Sequence, residues 1–222
     1  MTEDAFFPVL LSLRVATLAL VLVGPVALLL ALVQARARYA LRGVVDALIL
    51  LPLVLPPSVV GFFLVLVLGR RGVLGQYLDA IGLRVIFTPA AAVIASAIVA
   101  LPLMVKTAQP AIESVPVELE DVARTLGLSP AAVVFRVTLP AAWRGIVAAL
   151  VLGFARAMGE FGATLMFAGN IPGRTNTMPL EIFSAYEMGD GSRAALYVGL
   201  LSAFSFAVVF VASRLGARVL AS

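Results

Sequence analysis

Residues 117–140 read VELEDVARTLGLSPAAVVFRVTLP, and this stretch decides the fold because its surroundings are apolar enough to sit in lipid. It carries Glu118, Glu120, Asp121, Arg124 and Arg136, so it must lie in water or against another protein. The pattern is helix, break, helix. Pro116 precedes a segment with acidic residues in its opening turns, where the helix dipole favours negative charge. Leu119, Val122, Ala123 and Leu126 give that segment an apolar stripe at helical spacing. Gly127 is placed to end it in the left-handed conformation. Ser129 is placed to cap a second segment with Pro130 at its first position, and Leu139-Pro140 to stop it. Two short amphipathic helices at an angle, with one apolar edge and no enclosing domain, suit docking into a partner's groove.

The spacing Asp121-Val122-Ala123, Gly127 and Val137-Thr138-Leu139-Pro140 resembles the "EAA" signature of permease subunits of bacterial ABC importers. Asp121 stands for the usual Glu, Val122 for Ala and Val137 for Ile, while Ala123, Gly127, Leu139 and Pro140 match. The resemblance implies a cytoplasmic coupling-helix hairpin over residues 116–140. Glu120, Asp121, Val122, Ala123, Leu126, Gly127, Leu139 and Pro140 are then the residues that engage a separate ATPase.

Composition leads to the membrane independently. Of 222 residues, 62% are hydrophobic and the mean hydropathy is +1.11, above the soluble range. Cysteine and histidine are both absent, which excludes disulfides and catalytic roles for either residue. The net charge of +4 comes from arginines scattered between apolar runs. They read as topology signals at membrane edges, not as a nucleic-acid surface. The first apolar run is too long, and its start too poor in basic residues, for a cleavable signal.

The expected architecture is an all-α polytopic membrane protein, a single permease domain over residues 1–222. It has about five transmembrane helices, at 9–33, 44–69, 89–104, 143–167 and 194–215. Arg14 is expected to snorkel to the headgroups, Pro25 to kink the first span and Lys106 to snorkel from the short third. A surface helix is expected near residues 74–81, and an irregular polar loop over 169–193.

Charge sets the orientation. Arg36, Arg38, Arg42, Lys106, Arg124, Arg136, Arg144, Arg214 and Arg218 fall on one side, and Arg70, Arg71, Arg84, Arg174 and Arg193 on the other. Excess positive charge marks the cytoplasmic side. This places the hairpin and C-terminus in the cytoplasm and the N-terminus outside, in a bacterial inner membrane.

Two stretches suit a transport path. Pro56-Pro57 removes backbone donors in mid-span, which is tolerated where the backbone is buried in protein or lines water. Ser58 and Gly61 follow, so the alternatives are a narrow gate or a kink for packing. In and just before residues 155–184, Gly153, Gly159, Gly162 and Ala163 offer small-residue helix packing. Arg156 and Glu160, four apart, suit a pair that fixes packing better than a gate, because a carboxylate would repel an anion. Thr164 lies one turn on from Glu160.

The segments at 159–164 (GEFGAT), 170–179 (NIPGRTNTMP) and 51–64 (LPLVLPPSVVGFFL) resemble the molybdate branch of these permeases, with the sulfate/thiosulfate and tungstate branches close by. Asn170, Thr175, Asn176 and Thr177 are neutral donors beside the charge of Arg174. They suit either direct contact with a tetrahedral dianion or docking of the protein that delivers it. The chain has no G-x4-G-K-[ST] phosphate loop, and its only lysine is Lys106. A non-catalytic subunit without cofactor is expected, in a homodimer with two ATPase subunits and an external oxyanion-binding protein. The rival class is an ion-gradient-driven carrier, which would more often show inverted repeats and acidic midplane sites.

Overall fold

The computed structural model describes residues 3–37 and 39–217, and all regular structure among them is helical. Arg38 and Arg218, both used in the charge count, lie outside the described residues. Three helices are long and apolar enough to cross a membrane: α1 (Glu3–Arg36), α5 (Pro89–Glu113) and α11 (Gly191–Ala217). Up to five spans result if two bent pairs each count as one. The first pair is α2 (Arg42–Val54) with α3 (Pro57–Leu68), bent by 110°. The second is α7 (Pro130–Ala141) with α8 (Trp143–Met158), bent by 77°. The short elements are α4 (Gly75–Ala80), α6 (Val117–Thr125), α9 (Gly162–Ala168) and α10 (Met178–Glu187).

The core is built on small residues. α1 lies along α5 and α8, and α5 packs on α8. Ala16, Ala19, Ala27 and Ala31 of α1 meet Ala97, Ala100 and Ala108 of α5 in one cluster that also takes in Ala149 and Ala157 of α8. A Cβ on Gly153 would lie 2.3 Å from Met104 Cγ, so only glycine admits this α8–α5 approach. Between lipid-embedded helices, close packing replaces the hydrophobic effect as the attraction. A second cluster lies nearer the start of α1, joining Leu11 and Val15 to Val60 and Leu64 of α3, Ala95 and Val99 of α5, and Ala163 and Phe167 of α9.

Pro25 lies inside α1, which continues through it. Several expectations are corrected here. α5 continues nine residues past Met104, and Lys106 does not snorkel from its end but ion-pairs with Asp46 of α2. Thr88 caps α5 by accepting the Ala91 N–H at 3.4 Å. The fourth apolar stretch is not one helix, because the chain breaks after Met158 and restarts as α9. Gly159 makes no close packing contact, unlike Gly153 and Gly162. The polar 169–193 segment contains the helix α10, with Pro179 in its first turn and the buried Met178 N–H donating to Ser12 Oγ of α1 at 2.8 Å. Asp190 accepts the Arg193 N–H at 3.0 Å at the start of α11, and this bond holds its carboxyl below the usual range.

Candidate functional site

The 116–140 hairpin projects from the junction of α5 and α6. α6 has Glu118 and Glu120 in its first turn and Arg124 in its last, both favourable to the helix dipole. It ends as the sequence suggests: Gly127 has φ +89°, its N–H donates to the Arg124 carbonyl and the Leu128 N–H reaches back to that of Ala123. Those two bonds are a Schellman closure. Ser129 then accepts the Ala132 N–H at 3.3 Å and starts α7.

Leu139-Pro140 does not stop this second helix. Residues Val134–Thr138 form a π-helical turn, in which the Leu139 N–H bonds the Val134 carbonyl. The helix carries on to Ala141 before the bend into α8. Pro140 has no N–H for a regular bond, and the wider turn passes the chain over that gap.

The hairpin has two faces. Leu126 and Phe135 are 76% and 71% exposed, and Val117, Leu119 and Val122 are about half exposed. Asp121 is exposed too, held by Arg124 at 2.6 Å. Ala123 is buried against the body. Glu120, expected at the docking surface, instead points inward and is 4% exposed. Its carboxylate takes Arg36 Nη2 at 2.9 Å and the Thr138 hydroxyl at 2.8 Å on one oxygen, and Arg124 Nη2 at 3.3 Å on the other. A buried carboxylate needs such partners to remain charged. This network joins α1, α6 and α7 across 84 residues of sequence, a separation at which no local pattern signals a pairing.

The mid-span elements are also placed. Pro56, Pro57 and Ser58 are exposed at the 110° break. Gly61 is buried against α9, where a Cβ would come within 2.9 Å of Ala163 Cα, so it packs there and does not share the exposure of Ser58. Arg156 and Glu160 form an ion pair at 2.8 Å that spans the break between α8 and α9. Glu160 is 2% exposed and also accepts the Ala163 N–H at 2.8 Å, capping α9. Thr164 is fully buried and its hydroxyl has no partner among the described residues.

The 169–177 loop does not present the expected row of donors. Thr175 donates its hydroxyl to the Gly169 carbonyl and accepts the Ile171 N–H, both at 3.0 Å. Asn176 Nδ2 donates to Glu181 at 2.8 Å, and Glu181 in turn pairs with Arg193 at 2.6 Å. Asn170 Nδ2 bonds Ser184 Oγ at 2.5 Å, and Thr177 is buried. The bonds of Thr175, Asn176 and Asn170 Nδ2 fold the loop onto α10, while the buried Thr177 hydroxyl and Asn170 Oδ1 have no partner among the described residues. Arg174 alone of the set is exposed.

An all-helical bundle with broken spans and a projecting helical hairpin defines the class, that of ABC-importer permeases. The chain belongs to the family described as binding-protein-dependent transport system inner membrane component, whose model matches residues 24–221. The chain is 40% identical over 203 residues to the molybdenum transport system permease protein ModB of Escherichia coli K12, covering 91% of this chain and 89% of that one. It is 42% identical over 213 residues to ModB of Mycobacterium tuberculosis, covering 96% and 81%. A putative molybdenum transport permease of Bacillus subtilis is 39% identical over 209 residues, covering 94% and 92%. Among solved structures, the inward-facing MetNI methionine ABC transporter superposes with a TM-score of 0.67 at 16% identity, covering 96% of this chain and 93% of that one, a likeness of fold.

Proposed function

We propose that this chain is the membrane permease subunit of an ATP-driven molybdate importer. The observation that carries the transport mechanism is the two-faced hairpin: apolar Leu126 and Phe135 stand outward while Glu120 braces the hairpin from behind. Solvent-exposed apolar tips on a rigid support suit a groove on an ATPase. The choice of molybdate rests on relatives named as molybdenum permeases.

In this reading two copies form a dimer, each hairpin seats in one of two ATPase subunits, and an external oxyanion-binding protein delivers cargo. The chain's own work is mechanical. ATPase closure moves the hairpins, and the broken helices around Pro56 and Met158 reorient between inward-open and outward-open states. The hairpin and C-terminus are cytoplasmic and the N-terminus external, a reading supported by the asymmetry of arginine and lysine. With Thr175 and Asn176 engaged internally and Thr177 buried, the 169–177 loop fits docking of the delivery protein better than direct ion contact.

The test is reconstitution of the permease with its ATPase and binding protein in liposomes, followed by ATP-dependent uptake of labelled molybdate. Uptake that requires all three proteins is expected. Uptake driven by an ion gradient without the ATPase would overturn the importer reading, and uptake of sulfate in preference to molybdate would overturn the cargo.

A further inference from the structure

We infer that a groove between α1 and the start of α5 binds an anionic phospholipid, with its phosphate between Arg14 and Arg174 and an acyl chain on the apolar wall below. The groove encloses about 920 Å³. Leu18, Val21 and Leu22 of α1 form one wall, and Val93 and Ile94 of α5 form the other. Arg14 and Arg174 stand at the same cavity, and no carboxylate among the described residues lines it.

Three observations select the occupant. The first is charge. Arg36, Arg42, Arg70, Arg84, Arg124, Arg156 and Arg193 all have ion-pair partners. Arg14 and Arg174 are exposed and have no such partner among the described residues. Two guanidiniums without a counter-ion among the described residues, at an apolar cleft, call for an anion that they can hold in a forked geometry.

The second is depth. Arg36 lies at the water-facing end of α1, bonded to the hairpin's Glu120. Arg14 lies 22 residues earlier on the same unbroken helix. At 1.5 Å per residue that is about 33 Å, close to the roughly 30 Å of bilayer hydrocarbon. Arg14 therefore sits at the level of the opposite headgroups. In the proposed orientation these belong to the external leaflet.

The third is the wall. Leu18, Val21 and Leu22 are each more than half exposed and follow Arg14 at helical spacing, making one stripe directed away from the alanine core. A small oxyanion there would replace little of its hydration. A phospholipid satisfies the arginines and the apolar stripe together.

The test uses the full-length permease in detergent. Retention of phosphatidylglycerol and of phosphatidylcholine with identical acyl chains is compared by native mass spectrometry. A preference of roughly thirty-fold for phosphatidylglycerol is expected, from about 1 kcal/mol for each arginine. Arg14→Gln with Arg174→Gln should abolish the preference, and Arg71→Gln should leave it intact. Leu18→Trp fills the groove from an exposed position, so it should reduce retention of both lipids with the arginines in place, even if the double variant folds poorly. Equal retention of the two lipids by the wild type, or an unchanged preference in a folded double variant, would overturn the site. Displacement of the lipid by millimolar molybdate would overturn it in favour of an oxyanion site.

Discussion

Arg36 at the end of α1 holds the first turn of the hairpin in place: its Nη2 lies 2.9 Å from Glu120 Oε1 and donates to the Val115 carbonyl at 2.8 Å. One guanidinium thus ties the longest helix to both the turn at Val115 and α6.

Glu120→Ala leaves Arg36 largely buried without its carboxylate and strips Thr138 of an acceptor. A loss of roughly 3 kcal/mol is expected, the usual cost of breaking a buried pair from one side. Thermal melts of the purified permease check the stability. ATPase and uptake assays on the surviving fraction check whether hydrolysis continues without transport. Glu120→Gln keeps a neutral acceptor and should fall between the two.

Leu126→Asp and Phe135→Asp change exposed tips and should leave the melting temperature nearly unchanged. Both should reduce co-purification of the ATPase by about tenfold or more, since a charge desolvated in an apolar groove is costly. Normal association in both variants would exclude this face as the docking surface.

Gly127→Val tests the turn between the hairpin helices. Nothing lies within 4 Å of a Cβ built there, so the cost is conformational, arising from φ +89°. A β-branched residue at positive φ costs about 1–2 kcal/mol or more. The expected outcome is normal insertion with lost transport, and Gly127→Asn should restore part of it.

A reporter fused after Gly127 should be cytoplasmic and one fused after Gly173 external. Protease protection in right-side-out vesicles gives the same information without a fusion. Finding both sites on one face would break the topology drawn from the arginine count.

Arg156→Ala should lower the yield of folded protein, because the 2%-exposed Glu160 loses its counter-ion while still capping α9. Arg156→Ala combined with Glu160→Gln removes the uncompensated charge and should recover stability. If transport returns with it, the pair serves packing; recovered folding without transport would place it in the gating motion.

The sequence by itself determined the membrane class, the order of apolar segments and the hairpin. Those features rest on local physics: hydropathy over about twenty residues, Gly127 where a left-handed closure is needed, and Ser129-Pro130 where a helix starts. Only the tertiary structure decided which hairpin residues stand exposed and which turn inward. Glu120 and Asp121 are adjacent and both acidic, yet one meets Arg36 from 84 residues away and the other stays in water. The same holds for Thr175 and Asn176, whose donors turn inward because backbone groups and Glu181 lie within reach. It also holds for α10, a helix with little apolar periodicity, seated by Ser12 of α1. Burial and partner choice are set by which distant segments the packing brings together. Local periodicity carries no record of that.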